Sequence, residues 1–411
     1  MKIAVLTLGC RTNQAESARI EEMLQAVGHQ IVSSTGEAEI CIINTCSVTA
    51  KADYQSRQLI SRTLKVNAQV FVTGCYSELN AGIITDKNST VKVVPNKDKD
   101  HIINMIPHAT ACDILPSVAR HRRRPVIKVQ DGCNNECSYC IIQKARGKSS
   151  SVVPDKVLQE IDKYHALGFE EIVLSGIHLG IYGRDLKNQC TLAKLLEIIL
   201  KQTSIKRIRL SSIEVNELTP QLLDILSDNR ICKHLHLPMQ SGDDYILGLM
   251  NRSYTSSEYR ISIENILKRF NNIGIGTDVI VGFPGERDDN FNKTLHLIDN
   301  LRISYLHVFP YSSRPGTPAA LMPHHVPESL KKSRAKRLRE IGNIKKEAFI
   351  RNNIGLEHDI VIETLGDAMA KGTTSNYIRV HVSDNSVLKP GSLVRVRLTG
   401  ARDGNASGIA L

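Results

Sequence analysis

The chain has 411 residues, enough for two or three domains, and its 41% hydrophobic content suits a soluble globular protein with an ample core. No apolar run approaches the roughly 18 residues needed to cross a bilayer, and residues 1–8 are too short for a signal peptide and lack a cleavage site, so a cytoplasmic protein with no membrane partner is expected. A formal charge of +11 makes nucleic acid the leading partner, set against a generally basic solubility charge, and 10 cysteines in such a chain suggest metal or redox chemistry rather than disulfides.

Residues 1–106 alternate strand and helix candidates. Residues 2–8 form the first strand, and Ile20, Met23, Leu24 and Val27 follow as one buried helical stripe. Residues 40–44 and 69–73 are short β-rich runs without alternation, as in a doubly wound parallel sheet covered by helices on both faces. Cys10, Cys46 and Cys75 each fall within two residues of a strand's carboxyl end, where an open α/β sheet places its ligand crevice. They are either a three-thiolate site or ordinary small core residues. Cys41 points into a core.

Residues 107–124 read as a basic linker, with Pro107, Pro116, the run His121-Arg122-Arg123-Arg124 and an unassigned Cys112. Directly after an apolar stretch come Cys133, Cys137 and Cys140. A structural zinc site and a ferredoxin-type cluster each take four protein ligands, so a compact triplet leaves one metal position open, unless it is half of a zinc site. The region 125–330 repeats strand and helix, with strands expected at 126–129, 171–175, 207–211, 234–238, 275–281 and 305–310. Val157, Ile161 and Tyr164 share one helix face, and Leu192, Leu195, Leu196 and Ile199 another. Six βα units are too few for a closed eight-stranded barrel. Cys190 and Cys232 stand alone and fill space.

Residues 331–350 read as a helix crowded with Lys331, Lys332, Arg334, Lys336, Arg337, Arg339, Lys345 and Lys346. Short β runs at 358–363, 378–382 and 393–398, separated by turn residues, indicate a small β-barrel over 352–411. Tyr377 is its one candidate for base stacking, so RNA contacts would fall mostly to Arg379, Arg395, Arg397 and Arg402.

The triplet, with Tyr139 before its last cysteine, resembles the signature of the radical S-adenosylmethionine (SAM) enzymes. Thr7-Leu8-Gly9-Cys10-Arg11-Thr12-Asn13, Ile43-Asn44-Thr45-Cys46-Ser47-Val48-Thr49 and Val72-Thr73-Gly74-Cys75-Tyr76 resemble the three blocks of the methylthiotransferase branch. The resemblance implies two [4Fe-4S] clusters, one held by Cys133, Cys137 and Cys140 and an auxiliary one held by Cys10, Cys46 and Cys75. Asn13, Asn44 and Thr45 would be bonded to cluster sulfurs. It implies a central partial (β/α)6 barrel over 125–350 and a terminal TRAM domain that binds RNA. SAM contacts would fall to Tyr139, Ser175, Gly176, Ser212, Glu214, Gln240 and Gly282, although Ser175-Gly176 matches the usual Gly-Gly-Glu only weakly. RNA contacts would fall to Arg146, Arg252, Arg314, Arg395 and Arg397.

The chemistry implied is cleavage of SAM to a 5′-deoxyadenosyl radical that takes hydrogen from an unactivated carbon, with sulfur delivered from the auxiliary cluster. Leu8–Asn13, Cys137–Ile142 and Arg209–Glu214 most resemble the branch acting at carbon 2 of N6-threonylcarbamoyladenosine 37 in the tRNA anticodon stem-loop. A base there can be splayed into a pocket at modest cost. A monomer is expected, served by an electron donor such as flavodoxin or ferredoxin and by a sulfur donor. The chain departs from the family's Ile-Pro-Tyr-x-Arg-Gly at Ile142-Gln143-Lys144-Ala145-Arg146-Gly147, and Ser149–Ser151 lacks the later Arg, which bears on substrate choice. Isopentenyl-modified adenosine 37 and a ribosomal-protein aspartate remain alternative substrates. A non-catalytic metal-containing RNA-binding protein is the alternative of another class.

Overall fold

The computed structural model describes residues 1–66, 69–107, 124–366, 369–383 and 388–411; Cys112 and His121–Arg123 of the expected linker lie outside them. The chain forms two compact units. The first comprises Met1–Arg122, described to residue 107, with Asp131–Ser149 and Ser312–Thr317; the second comprises Arg123–Gln130, described from 124, with Ser150–Tyr311 and Pro318–Leu411.

The first unit is built on a five-stranded parallel sheet of β1 (Lys2–Thr7), β2 (Gln30–Ile31), β3 (Ile40–Thr45), β4 (Gln69–Gly74) and β5 (Val91–Val93), in the order β2-β1-β3-β4-β5. Every residue of β3 is buried. Ile40 and Ile42 join one core with Ile3, Ile20, Leu24 and Phe71, while Cys41 and Ile43 join another with Ala4, Ile60, Val70 and Val72. Successive side chains of a strand point to opposite faces, so a sheet covered on both sides has no polar face. This explains the unbroken apolar runs. Helix α1 (Arg11–Ala26) follows β1, and α2 (Ala50–Thr63), capped by Thr49 Oγ1 accepting from Ala52 N at 3.1 Å, follows β3.

In the second unit, β6 (Val126–Lys128), β7 (Glu171–Ser175) and β8 (Arg207–Leu210) form one parallel sheet, and β9 (His234–His236), β10 (Gly274–Val281) and β11 (Tyr305–Pro310) another. Backbone bonds join the two sheets, Cys232 N to Ile208 O at 2.9 Å and Ile213 N to His236 O at 3.0 Å. The six strands therefore run in sequence order around an open partial barrel. The predicted helical stripes pack on it, with Val157, Ile161 and Tyr164 buried on one helix and Leu192, Leu195, Leu196 and Ile199 on another. Cys190 and Cys232 are buried, as their reading as fillers expects.

A long helix, Glu328–Arg351, leads to a closed five-stranded barrel of β12 (Glu357–Leu365), β13 (Ala370–Thr374), β14 (Arg379–Val382), β15 (Leu393–Arg402) and β16 (Asn405–Ala410). Ile360, Ile362, Val380, Val382, Val396 and Leu398 fill its interior. Arg209 holds it to the partial barrel, donating to Thr374 O at 2.9 Å and Ser375 O at 3.1 Å, and Arg207 donates to Asp359 O at 2.8 Å. Glu171, fully buried on β7, accepts from Arg209 Nε at 2.9 Å and also faces Arg207 and Arg124. Burial pushes its carboxyl up, and Arg209, Arg207 and Arg124 more than reverse this, holding it at about 2.

Candidate iron-sulfur sites

The sheet register brings the carboxyl ends of three strands level, with Thr7 opposite Asn44 and Thr45 opposite Gly74. Cys10 caps α1, Cys46 directly follows β3, and Cys75 opens a short helix, α3 (Cys75–Leu79). Gly9 and Gly74 both have φ of +102°, in the left-handed region. A Cβ on Gly9 would lie 2.8 Å from Cys46 Sγ, and one on Gly74 would lie 2.3 Å from Thr45 O. Glycine therefore lets the flanking turns close onto the central one. Asn13 Nδ2 donates to Leu8 O at 2.8 Å and Thr45 O at 2.9 Å; Asn44 Nδ2 donates to Asn13 O at 3.0 Å; Thr45 Oγ1 donates to Thr73 O at 2.6 Å. These three side chains, expected to bond to cluster sulfurs, stitch the turns together, and Asn13 Oδ1 also accepts from Cys10 Sγ at 3.8 Å.

The thiols sense one another. Burial pushes the Cys46 thiol up to about 11, with Cys75 and Cys10 adding to the rise against the Val48 N–H. Burial also raises Cys75, while Arg146 and Lys99 pull it back. Cys10 is the exposed member. Three thiols at adjacent strand ends of this strand order, one facing solvent, form the crevice of an open α/β sheet.

The triplet lies on a loop of the same unit. Cys140 N donates to Cys137 O at 3.0 Å, closing a turn; Asn135 N donates to Cys133 Sγ at 3.4 Å; Cys133 N donates to Gly147 O at 3.1 Å. Gly132, with φ of +68°, passes so near the returning chain that a Cβ would meet Lys148 O at 2.1 Å. All three cysteines are half-buried, and Tyr139 stands between two of them with similar exposure. The loop continues into helix α4 (Ile142–Arg146), which packs against α3 behind Cys75.

Arg146 ends that helix with its side chain buried and donates to Cys75 Sγ, Asn13, Glu16 and Asp131. Arg314 is also buried and donates to Ser47 Oγ at 2.7 Å and Asp53 Oδ2 at 2.6 Å, fixing the turn after Cys46. Lys144, one of the departures from the expected motif, donates to Gly316 O at 2.6 Å.

In the second unit the strand-end residues are arranged as follows. Ser175 is buried at the end of β7, and Gly176 lies against Gln130, whose Oε1 accepts from His178 N at 2.8 Å. Ser212 Oγ lies 2.8 Å from His236 Nδ1. Glu214 pairs with Arg252 and caps the short turn Val215–Glu217. Gln240 has φ of +65° and exchanges backbone bonds of 2.9 Å with Asp278 and Ile280. Gly282, with φ of +71°, is close to Lys331, whose Cγ a Cβ would meet at 2.1 Å. His236, Asp278 and His307 bring one donor atom each within 4.8 Å of the others, a grouping not foreseen from sequence.

Comparison with known proteins matches the Radical SAM superfamily over residues 127–298 and the family described as Uncharacterized protein family UPF0004 over residues 2–95. The threonylcarbamoyladenosine tRNA methylthiotransferase MtaB of Aquifex aeolicus (strain VF5) is 35% identical, over 96% of this chain and 100% of its own length. That of Bacillus subtilis (strain 168) is 34% identical over 97% and 94%. The tRNA-2-methylthio-N(6)-dimethylallyladenosine synthase of Moorella thermoacetica (strain ATCC 39073 / JCM 9320) is 30% identical over 97% and 96%. The chain belongs to the radical SAM methylthiotransferases. In fold it is also similar to the radical SAM methyltransferase TsrM from Kitasatospora setae, at TM-score 0.59 and 12% identity over 78% of this chain and 77% of that one.

Family membership gives this methylthiotransferase its cofactors, two [4Fe-4S] clusters and SAM. The first unit has donors suited to the clusters. Each trio is all thiol, and the sheet-end trio sits on turns whose close approach two glycines permit, with cations beside Cys75 that favour thiolate.

The expected RNA contacts need correction. Arg146, Arg252 and Arg314 have side chains 1%, 3% and 6% exposed and are held by carboxylates, so they cannot track a phosphate backbone. Arg395 and Arg397 are exposed, but each pairs across the strands with Asp359 or Glu357. Tyr377 stacks on His234 with ring centroids 4.2 Å apart and is not a free stacking platform. In the basic helix, Lys331 and Arg334 are buried, while Lys332, Lys336 and Arg337 are exposed. Sequence reasoning missed Glu16, Lys99 and Asp131 around Arg146. Glu16 was within reach, because it follows Asn13 by three residues and precedes Ile20 by four on one helix face. Lys99, far away in a turn-rich stretch, gave no signal.

Proposed function

We propose that this chain is a tRNA methylthiotransferase that replaces the hydrogen on carbon 2 of N6-threonylcarbamoyladenosine at position 37 with a methylthio group. The observation that carries the reading is the presence, in one compact unit, of a radical SAM cysteine loop and a second thiol trio at the carboxyl edge of a sheet. Its relatives at 34–35% identity, matched over 100% and 94% of their own length, are named threonylcarbamoyladenosine tRNA methylthiotransferases.

Cys133, Cys137 and Cys140 would hold the cluster that binds SAM, and Cys10, Cys46 and Cys75 the auxiliary cluster, each trio leaving one iron without a protein ligand. When bound, these groups supply a carbon radical able to take an unactivated hydrogen and a source of sulfur, neither of which any side chain provides. The protein's own residues position them. Gly132 and Gly147 close the cysteine loop, Asn13, Asn44 and Thr45 fix the three strand-end turns, and Arg314 secures the turn after Cys46. The closed barrel of β12–β16 is the TRAM-like RNA module, and Lys332, Lys336 and Arg337 of the preceding helix are the exposed cations best able to meet phosphate.

The dimethylallyladenosine reading has support from the relative at 30% identity. Mass spectrometry of tRNA nucleosides from cells lacking the protein separates the two. Loss of the methylthio group from threonylcarbamoyladenosine alone is expected, and loss from the isopentenyl nucleoside would reassign the substrate. Cys75→Ala should retain about half of the iron, form 5′-deoxyadenosine and make no methylthio product, whereas Cys137→Ala should lose SAM cleavage.

A further inference from the structure

Arg146 was expected to touch RNA, and its surroundings indicate a different role. Its side chain is 1% exposed. A guanidinium has five N–H donors, and five acceptors surround this one. Nε donates to Cys75 Sγ at 3.2 Å; Nη1 to Glu16 Oε1 and Asp131 Oδ1, both at 2.8 Å; Nη2 to Asn13 Oδ1 at 2.5 Å and Glu16 Oε2 at 3.3 Å. Lys99 Nζ pairs with Glu16 Oε2 at 2.5 Å. Two buried cations thus balance the buried Glu16 and the partly exposed Asp131, and the donor aimed at sulfur is left to act on the thiolate.

Arg146 lies six residues beyond Cys140, on the helix that continues the radical SAM loop. Its fork reaches α1 through Asn13 and Glu16 and α3 through Cys75, while Asp131 directly precedes Gly132 at the start of the cysteine loop. A clamp for the helix alone would need only the carboxylates.

We propose that Arg146 is a positioning residue that sets the reduction potential of the cluster held by Cys10, Cys46 and Cys75, through a charge-assisted N–H···S bond to Cys75. This rests on the reading of that trio as cluster ligands. A cationic donor draws charge from the sulfur and stabilises the more negative, reduced state, so the bond raises the potential. It also places the determinant of one cluster's potential on the segment that carries the other cluster's ligands.

The test uses full-length protein with Cys133, Cys137 and Cys140 replaced by Ala, reconstituted so that only the auxiliary cluster remains. About four iron per chain are expected. In that background Arg146→Gln should shift the midpoint to a more negative potential at unchanged iron content. Arg146→Lys, which keeps the charge but not the fork, should fall between. An unchanged or more positive midpoint overturns the proposal. A second measurement covers the case in which the Gln variant fails to fold. With 15N-labelled arginine, pulsed electron paramagnetic resonance of the reduced cluster should show a nitrogen coupling that Arg146→Lys abolishes, and its absence from the chain that retains Arg146 also overturns the proposal. A background chain without iron refutes the ligand reading and the proposal together, whereas iron with no 15N coupling refutes only the proposal.

Discussion

The buried arginines of the partial barrel hold its packing together, and Glu171 gives the clearest measure of it. Its carboxylate has no exposed surface and faces Arg209 and Arg207 on the neighbouring strand and Arg124 beyond. Removing one partner from such a group leaves uncompensated buried charge, which costs about 3–5 kcal/mol. Glu171→Gln should therefore lower the urea midpoint of the full chain at neutral pH by a corresponding amount. The pH dependence follows from the depressed carboxyl. The ordinary value is 4.5 and the folded value about 2, so the stabilisation is complete above pH 4.5 and is lost as pH falls through 2. The Gln variant should lack that part of the acid slope. Equal slopes in the two proteins would show that Glu171 does not ionise in the fold.

At the scale of elements, the sheet-end site depends on turns that only glycine can make. In Gly74→Ala the new Cβ would lie 2.3 Å from Thr45 O and 2.5 Å from Thr45 N, at φ of +102°. Backbone atoms cannot move aside as a flexible side chain does, so the cost should be at least about 1–3 kcal/mol, and the turns carrying Cys46 and Cys75 should separate. A lower melting temperature and loss of iron are expected together. Gly82→Ala, on a helix with open space around it, is the control and should neither lower the melting temperature nor lose iron. If both substitutions behave alike, the close approach of β3 and β4 does not form the site. The Gly-Cys pairs were visible in the sequence as strand ends, because β1, β3 and β4 are continuous apolar runs that no helix period fits. Strands β13 (Ala370–Thr374) and β16 (Asn405–Ala410) were not. Ala-Lys-Gly-Thr-Thr and Asn-Ala-Ser-Gly-Ile-Ala carry little apolar alternation, since strands that close a small barrel are fixed by their ladder bonds and need contribute few core side chains. The bonds from Arg146 to Glu16 and Cys75 were also hidden, because a side chain's partner 71 or 130 residues away leaves no mark on local pattern.

For the molecule as a whole, the sequence suggested a terminal RNA-binding module joined by a basic helix. The interactions inside the second unit tie that module to the partial barrel. Arg209 lies fully buried in the partial barrel and gives two of its donors to Thr374 O and Ser375 O of the small barrel, and Arg207 gives one to Asp359 O. A Cβ on Gly274 of β10 would meet Asn376 O at 2.2 Å, so the two barrels touch through backbone as well. Buried guanidinium donors deprived of acceptors keep their full desolvation penalty, about 1–3 kcal/mol or more for each charged group. Deleting residues 352–411 should therefore destabilise what remains, and the full chain should protect the amides of β12 and β15 from hydrogen exchange as long as those of β7 and β8. Earlier exchange in β12 and β15, together with a truncated chain that melts at the temperature of the intact one, would make the terminal barrel an independent module and reduce the arginine contacts to surface docking. Continuous protection would mean that the small barrel keeps a fixed register with the partial barrel.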